Sequence, residues 1–190
     1  MPSPSKNRSD ASLVRRDVLS CIGHLGALAL SSSFLSACHM GFTEPAQIAG
    51  KAFPAYDLPD LNGILYKSTS SAGKPVLINF WATWCPPCRS EMSALQSLAD
   101  RFAEQGLQIL GISVDDDLNL VREFVLQERL RFTMLIDRER VLAESALHLT
   151  AYPTSIVVGA DGIVREVIVG VRPWADDSFA RDLARQLGLV

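Results

Sequence analysis

The apolar positions fall into one long stretch near the start of the chain and a series of short ones after residue 75. Residues 18–37 contain no acidic or basic side chain other than His24. Further on, Val76-Leu77-Ile78-Asn79-Phe80 is a nearly continuous apolar run behind Gly73-Lys74-Pro75, the pattern of a strand buried on both faces. Met92, Leu95, Leu98 and Phe102 then recur at helical spacing, and Gly106 is placed to end that helix. Gln108 to Val114 reads as a second buried strand, so strand, helix and strand form a parallel, right-handed crossover. Asp117 can cap a helix that carries Leu120, Val121, Phe124 and Val125 on one face. Phe132 to Ile136 predicts another strand, and Asp137 opens a helix predicted to run to about His148. Ser155–Val158 and Ile163–Val169 flank Asp161-Gly162, a hairpin signal, and Phe179, Leu183 and Leu187 mark a final helix. Extended segments around Tyr56–Leu58 and Ile64–Tyr66 precede this series, and Ser68-Thr69-Ser70-Ser71 reads as a loop. The order β-α-β-α-β-α-β-β-α describes one α/β domain over residues 52–190, without internal repeats.

The first apolar stretch has a different purpose. Lys6, Arg8, Arg15 and Arg16 precede it, a basic start followed by an apolar run, which is the layout of a secretory signal. Gly23, Gly26 and five serines dilute it, so it makes a poor permanent anchor although it approaches the ~20 residues that a bilayer span needs. Arg15-Arg16-Asp17-Val18-Leu19 resembles the twin-arginine export motif, with Val18 at the position usually held by Phe. Leu35-Ser36-Ala37-Cys38 resembles a bacterial lipobox, which implies cleavage and lipid attachment at Cys38; Cys21 would go with the discarded segment. Residues 1–38 are therefore expected to be an export signal, and 39–51, with Gly41, Pro45 and Gly50, a tether that holds the domain near a membrane of the cell envelope, on its periplasmic side.

Composition narrows the remainder. With 190 residues, 48% hydrophobic and 21% charged, the chain has room for one core and is not disordered. A net charge of -3, with no long basic run, argues against a nucleic-acid partner.

The chemistry lies in Cys85-Pro86-Pro87-Cys88. The first cysteine stands where a strand runs into a helix, and the dipole and free N–H groups of a helix start favour its thiolate. Pro86 and Pro87 are tolerated there because their missing N–H groups would have had no intrahelical partner, although they also remove donors that could solvate the thiolate. Cys88, one turn deeper, is placed to attack a mixed disulfide on Cys85 and release the partner. A purely structural bridge closing so short a loop removes little chain entropy. A zinc site lacks a second ligand pair, since the only histidines are His24, His39 and His148. A redox pair is the reading the spacing and the strand-helix context favour.

The run Asn79-Phe80-Trp81-Ala82-Thr83-Trp84-Cys85-Pro86-Pro87-Cys88-Arg89-Ser90-Glu91-Met92 resembles the active-site segment of the thioredoxin superfamily, and of its TlpA/ResA-like bacterial thiol-disulfide oxidoreductases in particular. Leu58 to Gly63, Gly111 to Asp115 and Ala151-Tyr152-Pro153-Thr154 extend the resemblance over about residues 52–190. It implies a thioredoxin-like fold: a central mixed sheet flanked by helices, with an N-terminal extended segment and an inserted helix-strand unit. It also implies a cis peptide before Pro153, lying against the cysteines, with Tyr152 offering backbone groups to an extended partner. Asn79 stands where ordinary thioredoxins carry a buried Asp, so the proton carrier for Cys88 must lie elsewhere. Glu91 matches an acidic position of the ResA-like proteins and is the candidate, its other reading being a solvated acid in the first helical turn. Trp84, Pro86 and Tyr152 are expected to meet substrate; Trp81 and Trp84 could equally serve packing.

The expected protein is thus a monomeric, membrane-tethered exported oxidoreductase that needs no cofactor and no metal. Its partners would be protein thiols and disulfides and a membrane thiol-electron donor, and a reducing role, for example in cytochrome c maturation, is what the resemblance implies. A copper metallochaperone using both thiolates with His148 or another ligand, a thiol peroxidase and a purely structural lipoprotein are the other readings. The surroundings of Cys85 lack the Pro and Thr spacing of peroxiredoxins, against the second of these.

Overall fold

The computed structural model describes residues 48–189. The export signal and lipobox, including Cys38, lie outside the described residues, as do most of the expected tether. Residues 48–51 belong to the domain's hydrogen-bonding: Gly50 N–H donates to Val164 O (2.8 Å), and Val164 N–H returns a bond to Lys51 O (2.9 Å).

Two small antiparallel strands come first, β1 (Asp57–Pro59) and β2 (Leu65–Lys67), joined by a turn in which the Asp60 carboxylate accepts from the N–H groups of Asn62 and Ile64. Ser68–Ser71, expected as a loop, forms a single 3-10 turn. The main sheet contains β3 (Val76–Trp81), β4 (Gln108–Ser113), β5 (Thr133–Ile136), β6 (Thr154–Val158) and β7 (Val164–Val169) in the order β5-β4-β3-β6-β7. β3, β4 and β5 run parallel, whereas β6 and β7 are antiparallel to their neighbours. Every residue of β3 is buried, as its unbroken apolar run requires of a strand central to the sheet.

Among the described residues three α-helices accompany the sheet: α1 (Pro86–Phe102), α2 (Leu118–Gln127) and α3 (Asp177–Gln186). Met92, Leu95, Leu98 and Phe102 face inward from α1, and Gly106, at φ +84°, turns the chain left-handed into β4. Asp117 caps α2 through a bond from Asn119 N–H (2.9 Å), and Asp176 caps α3 through Ser178 and Phe179 N–H.

Two expectations need correction. Leu120 does not share the buried face of Val121 and Phe124 but is half exposed, so the inward face of α2 is narrower than its apolar residues. The helix expected from Asp137 to His148 is only six residues of π-helical turn, Val141–Ala146. Arg140 precedes it in a left-handed conformation (φ 54°), and the buried Asp137 carboxylate caps it by accepting from Leu142 and Ala143 N–H. His148 also takes a positive φ, which stops a regular helix before that residue.

Candidate active site

The site grows from the end of β3. Trp81 is fully buried against Phe124 and belongs to the core, not to a partner-facing rim. The chain then turns, with Cys85 N–H donating to Ala82 O (3.2 Å). This turn is fastened from the next strand. The buried Asp115 carboxylate, just past β4, accepts from Thr83 N–H (2.9 Å), Thr83 Oγ1 (2.6 Å) and Ser113 Oγ (2.7 Å). Asp115 entered the sequence reading only inside a motif, and the Ser-x-Asp spacing in that motif was the available signal for its role.

Cys85 is the N-cap of α1, with extended backbone, and Pro86 and Pro87 occupy the first two helical positions. Both prolines are exposed, which leaves Pro86 on the surface beside the sulfur. Cys88 N–H donates to Cys85 Sγ at 3.3 Å, the backbone donor that remains once the prolines have removed two others. Cys85 and Cys88 are joined as a disulfide, Cα to Cα 5.3 Å. Cys85 is 5% exposed and Cys88 0%, so the first cysteine of the pair keeps a small contact with solvent and the second none.

Opposite Cys85 lies the Tyr152–Pro153 peptide, which is cis. Tyr152 O stands 3.6 Å from Cys85 Sγ, and Pro153 is buried with its own carbonyl bonded to Gly170 N–H (2.8 Å). The Tyr152 ring meets Trp84 edge-on at 6.2 Å, and Trp84 is 59% exposed. Burial, with Glu144 nearby, pushes the Tyr152 phenol up to about 12, so it stays neutral. The sequence-predicted Trp84, Cys85, Pro86, Cys88, Tyr152 and Pro153 are thus all assembled at one end of the sheet.

Glu91 is no solvated acid: it is 2% exposed. Its Oε1 accepts from Asn79 Nδ2 (2.8 Å), and its Oε2 accepts from Trp174 Nε1 (2.8 Å) and Arg172 N–H (3.4 Å). Asn79 Nδ2 also donates to Ser155 Oγ (2.9 Å), tying β3, α1, β6 and the segment before α3 together. Burial raises the Glu91 carboxyl above its ordinary range, and the bonds from Trp174, Asn79 and Arg172 draw it partly back. Trp174 had no local signal, because it reaches Glu91 only through the fold. Among the described residues no group of three or more His, Cys, Asp or Glu side chains is arranged as a metal site, and His148 is exposed.

A disulfide-forming Cys-x-x-Cys at the first turn of a helix, on a mixed five-stranded sheet and facing a cis-proline, defines a thioredoxin-fold thiol-disulfide oxidoreductase. The chain belongs to the AhpC/TSA family, which it matches over residues 49–167. It is 33% identical to the thiol-disulfide oxidoreductase ResA of Geobacillus kaustophilus over 136 residues, 71% of this chain and 78% of that protein. With ResA of Bacillus anthracis it shares 34% over 146 residues, 75% and 83% of the two chains. Among solved structures it resembles a putative thiol:disulfide interchange protein DsbE from Chlorobium tepidum, with a TM-score of 0.67 at 25% identity, covering 74% of this chain and 98% of that one. A thioredoxin-family interchange protein from Chlorobium tepidum TLS gives 0.64 at 30% identity, covering 78% and 100%. The protein is a protein thiol-disulfide oxidoreductase of thioredoxin-like fold.

Proposed function

We propose that this oxidoreductase is exported, held at a membrane of the cell envelope by lipid on Cys38, and acts there as a reductase of protein disulfides. What carries the reading is the asymmetry of the pair: a cysteine at the helix cap that keeps a small contact with solvent, a fully buried one behind it, and a buried carboxylate one turn further in. In the reduced protein the Cys85 thiolate attacks one sulfur of a partner disulfide, forming a mixed disulfide and expelling the other partner sulfur as a thiolate. Cys88 gives its proton to Glu91 and attacks Cys85 Sγ, expelling the second partner thiolate and closing the Cys85–Cys88 bond. Two electrons pass to the partner, both of whose thiolates take up protons, and a membrane thiol donor restores the dithiol. Tyr152 and the cis-Pro153 hold the partner backbone extended over Cys85, and Trp84 and Pro86 pack beside it.

The helix start favours the Cys85 thiolate, but with Pro86 and Pro87 in place it offers few donors. The reduced form is therefore only modestly stabilised, which fits a reductant. Apocytochromes c are one class of exported substrate that would need such a protein. The basic and apolar pattern of residues 1–38 supports export and tethering. Acid quenching of cells, followed by thiol alkylation with a mass tag, tests the direction. A mainly reduced Cys85–Cys88 pair is expected. A mainly oxidised pair, or a reduction potential above about -150 mV, assigns the protein to disulfide formation instead.

A further inference from the structure

Trp174 is fully buried, and its one polar atom, the indole N–H, donates to Glu91 Oε2 at 2.8 Å. The three indoles of the chain are placed differently: Trp81 Nε1 is buried without a partner and Trp84 is exposed, so among the described residues only the Trp174 indole is bonded to an acid. The connector that carries it, between β7 and α3, is pinned along its length. Gly170 N–H donates to Pro153 O (2.8 Å), Trp174 N–H to Arg172 O (2.9 Å) and Asp176 N–H to Pro173 O (2.9 Å), while Arg172 N–H reaches the same Glu91 Oε2 (3.4 Å). Phe179 of α3 braces the ring edge-on at 5.4 Å. An indole held in this way keeps its donor aimed at one carboxylate oxygen.

We propose that Trp174 is a positioning residue of the exchange reaction: its indole N–H holds the Glu91 carboxyl in place and in the ionised form that can take the Cys88 proton. The inference rests on the reaction proposed above, in which Cys88 passes its proton to Glu91. An N–H donor bonds a carboxylate more strongly than a carboxylic acid, so this bond favours the ionised form, whereas burial favours the neutral one. The other neighbours cannot replace it. Asn79 on β3 donates to the opposite oxygen, Oε1, and Ser155 on β6 meets that amide and not the acid. Arg172, on the connector, is the charged group that acts on the carboxyl, and Cys88, one turn earlier on α1, is the titratable group it serves. With the indole bond gone, burial is less opposed. Glu91 then keeps its own proton up to a higher pH and cannot receive that of Cys88. Trp174 itself exchanges neither proton nor electron, and the bonds made and broken stay at the sulfurs.

Two measurements on the full-length protein test this. In the oxidised form, where Cys85 and Cys88 are joined and do not titrate, one of the indole N–H resonances of nitrogen-labelled protein is expected to move with pH as Glu91 ionises, and to stop moving in Glu91→Gln. Indole resonances that all ignore this titration overturn the proposal, and this outcome needs no substitution of Trp174. In the reduced form, the rate of reduction of a disulfide-bonded peptide is followed against pH. Trp174→Phe, which keeps an aromatic ring and removes the donor, is expected to move the Glu91-dependent limb up by about one pH unit, the equivalent of a hydrogen bond to a charged group, and to lower the rate about tenfold on its acid side. Phe179→Leu loosens the packing of the same ring but leaves its N–H, and is expected to keep the limb where it is. A limb that stays in place in Trp174→Phe, or moves as far in Phe179→Leu, overturns the positioning role and leaves the exchange reaction standing. A profile that Glu91→Gln leaves unchanged overturns the proton path and the role of Trp174 with it.

Discussion

All three hydrogen-bond partners of Glu91 are donors, Asn79 Nδ2, Trp174 Nε1 and Arg172 N–H, and such a set fits an ionised carboxylate. Burial works the other way and wins, leaving the carboxyl raised from 4.5. A buried acid of this kind can hold a proton from Cys88 and give it up again. The same balance has a pH signature. A carboxyl raised in the folded state contributes stability in full below about 4.5, where the unfolded chain also holds the proton, and loses it as the pH rises through the folded value. Glu91→Gln removes that slope. Asn79 can accommodate the new amide by turning over, since its Oδ1 has no partner in the present arrangement. Urea unfolding is expected to show wild type losing stability as the pH rises above 4.5 more steeply than Glu91→Gln does, while thiol exchange by the variant loses the part of its pH dependence that belongs to this proton. A wild-type profile matching the variant would remove Glu91 from the proton path. At the sulfurs, Cys88→Ser is expected to accumulate mixed disulfides through Cys85, visible on non-reducing gels, whereas Cys85→Ser accumulates none because Cys88 is fully buried.

The elements hold the sulfur pair still by bonds between strand ends. Asp115 ties the turn between β3 and α1 to the end of β4, through both the backbone and the hydroxyl of Thr83. Asp115→Ala leaves the Thr83 N–H without its acceptor, which costs about 1–3 kcal/mol. The variant is expected to unfold at correspondingly lower urea and to show faster amide exchange at Thr83; unchanged exchange there would mean that the turn is held by other bonds. The elements around this staple were legible in the sequence for a simple reason. β3 and the inward stripe of α1 are set by local apolar period, and Gly106 and Asp117 end and begin helices through their own backbone and side-chain chemistry. The Cys85 to Cys88 spacing could be read for the same reason. What escaped the sequence depends on residues distant in the chain. Glu91 read equally well as solvated or buried, because Trp174, which covers it, lies 83 positions away. Leu120 fell into the apolar stripe of α2 by spacing, yet the sheet is covered by Val121 and Phe124 without it. The helix expected after Asp137 failed because its carboxylate caps a wider π-helical turn instead of opening an α-helix.

For the whole molecule, the sheet separates the first described residues of the chain from its chemistry. β6 runs antiparallel to β3 with Val158 opposite Val76, so the β6–β7 turn lies at the far end of the sheet from Trp81 and Cys85. Gly50, Lys51 and Phe53 are bonded to that turn region, at Val164 and Gly162. Among the described residues, the chain therefore enters the domain at one end of the sheet and carries its sulfur pair at the other. The direction of electron flow is likewise a property of the whole fold, because the fold and the disulfide are thermodynamically linked. Whichever redox form the fold stabilises more is the form the pair favours, and a strong oxidant is one whose reduced form is the more stable. Closing a four-residue loop can contribute at most about 2 kcal/mol to the oxidised form by chain entropy. The balance then rests on how well the reduced form solvates a Cys85 thiolate. Here Pro86 and Pro87 offer no N–H, Cys88 N–H is the donor at Cys85 Sγ, and the opposing Tyr152 carbonyl is an acceptor that repels negative charge. The oxidised protein is accordingly expected to be the more stable. Its thermal midpoint should fall on reduction with dithiothreitol, and each 1.4 kcal/mol of difference corresponds to about 30 mV of reduction potential below that of the unfolded dithiol. A midpoint that rises on reduction would reverse the direction proposed for this protein, since the fold would then be holding the pair open and accepting electrons from its partners.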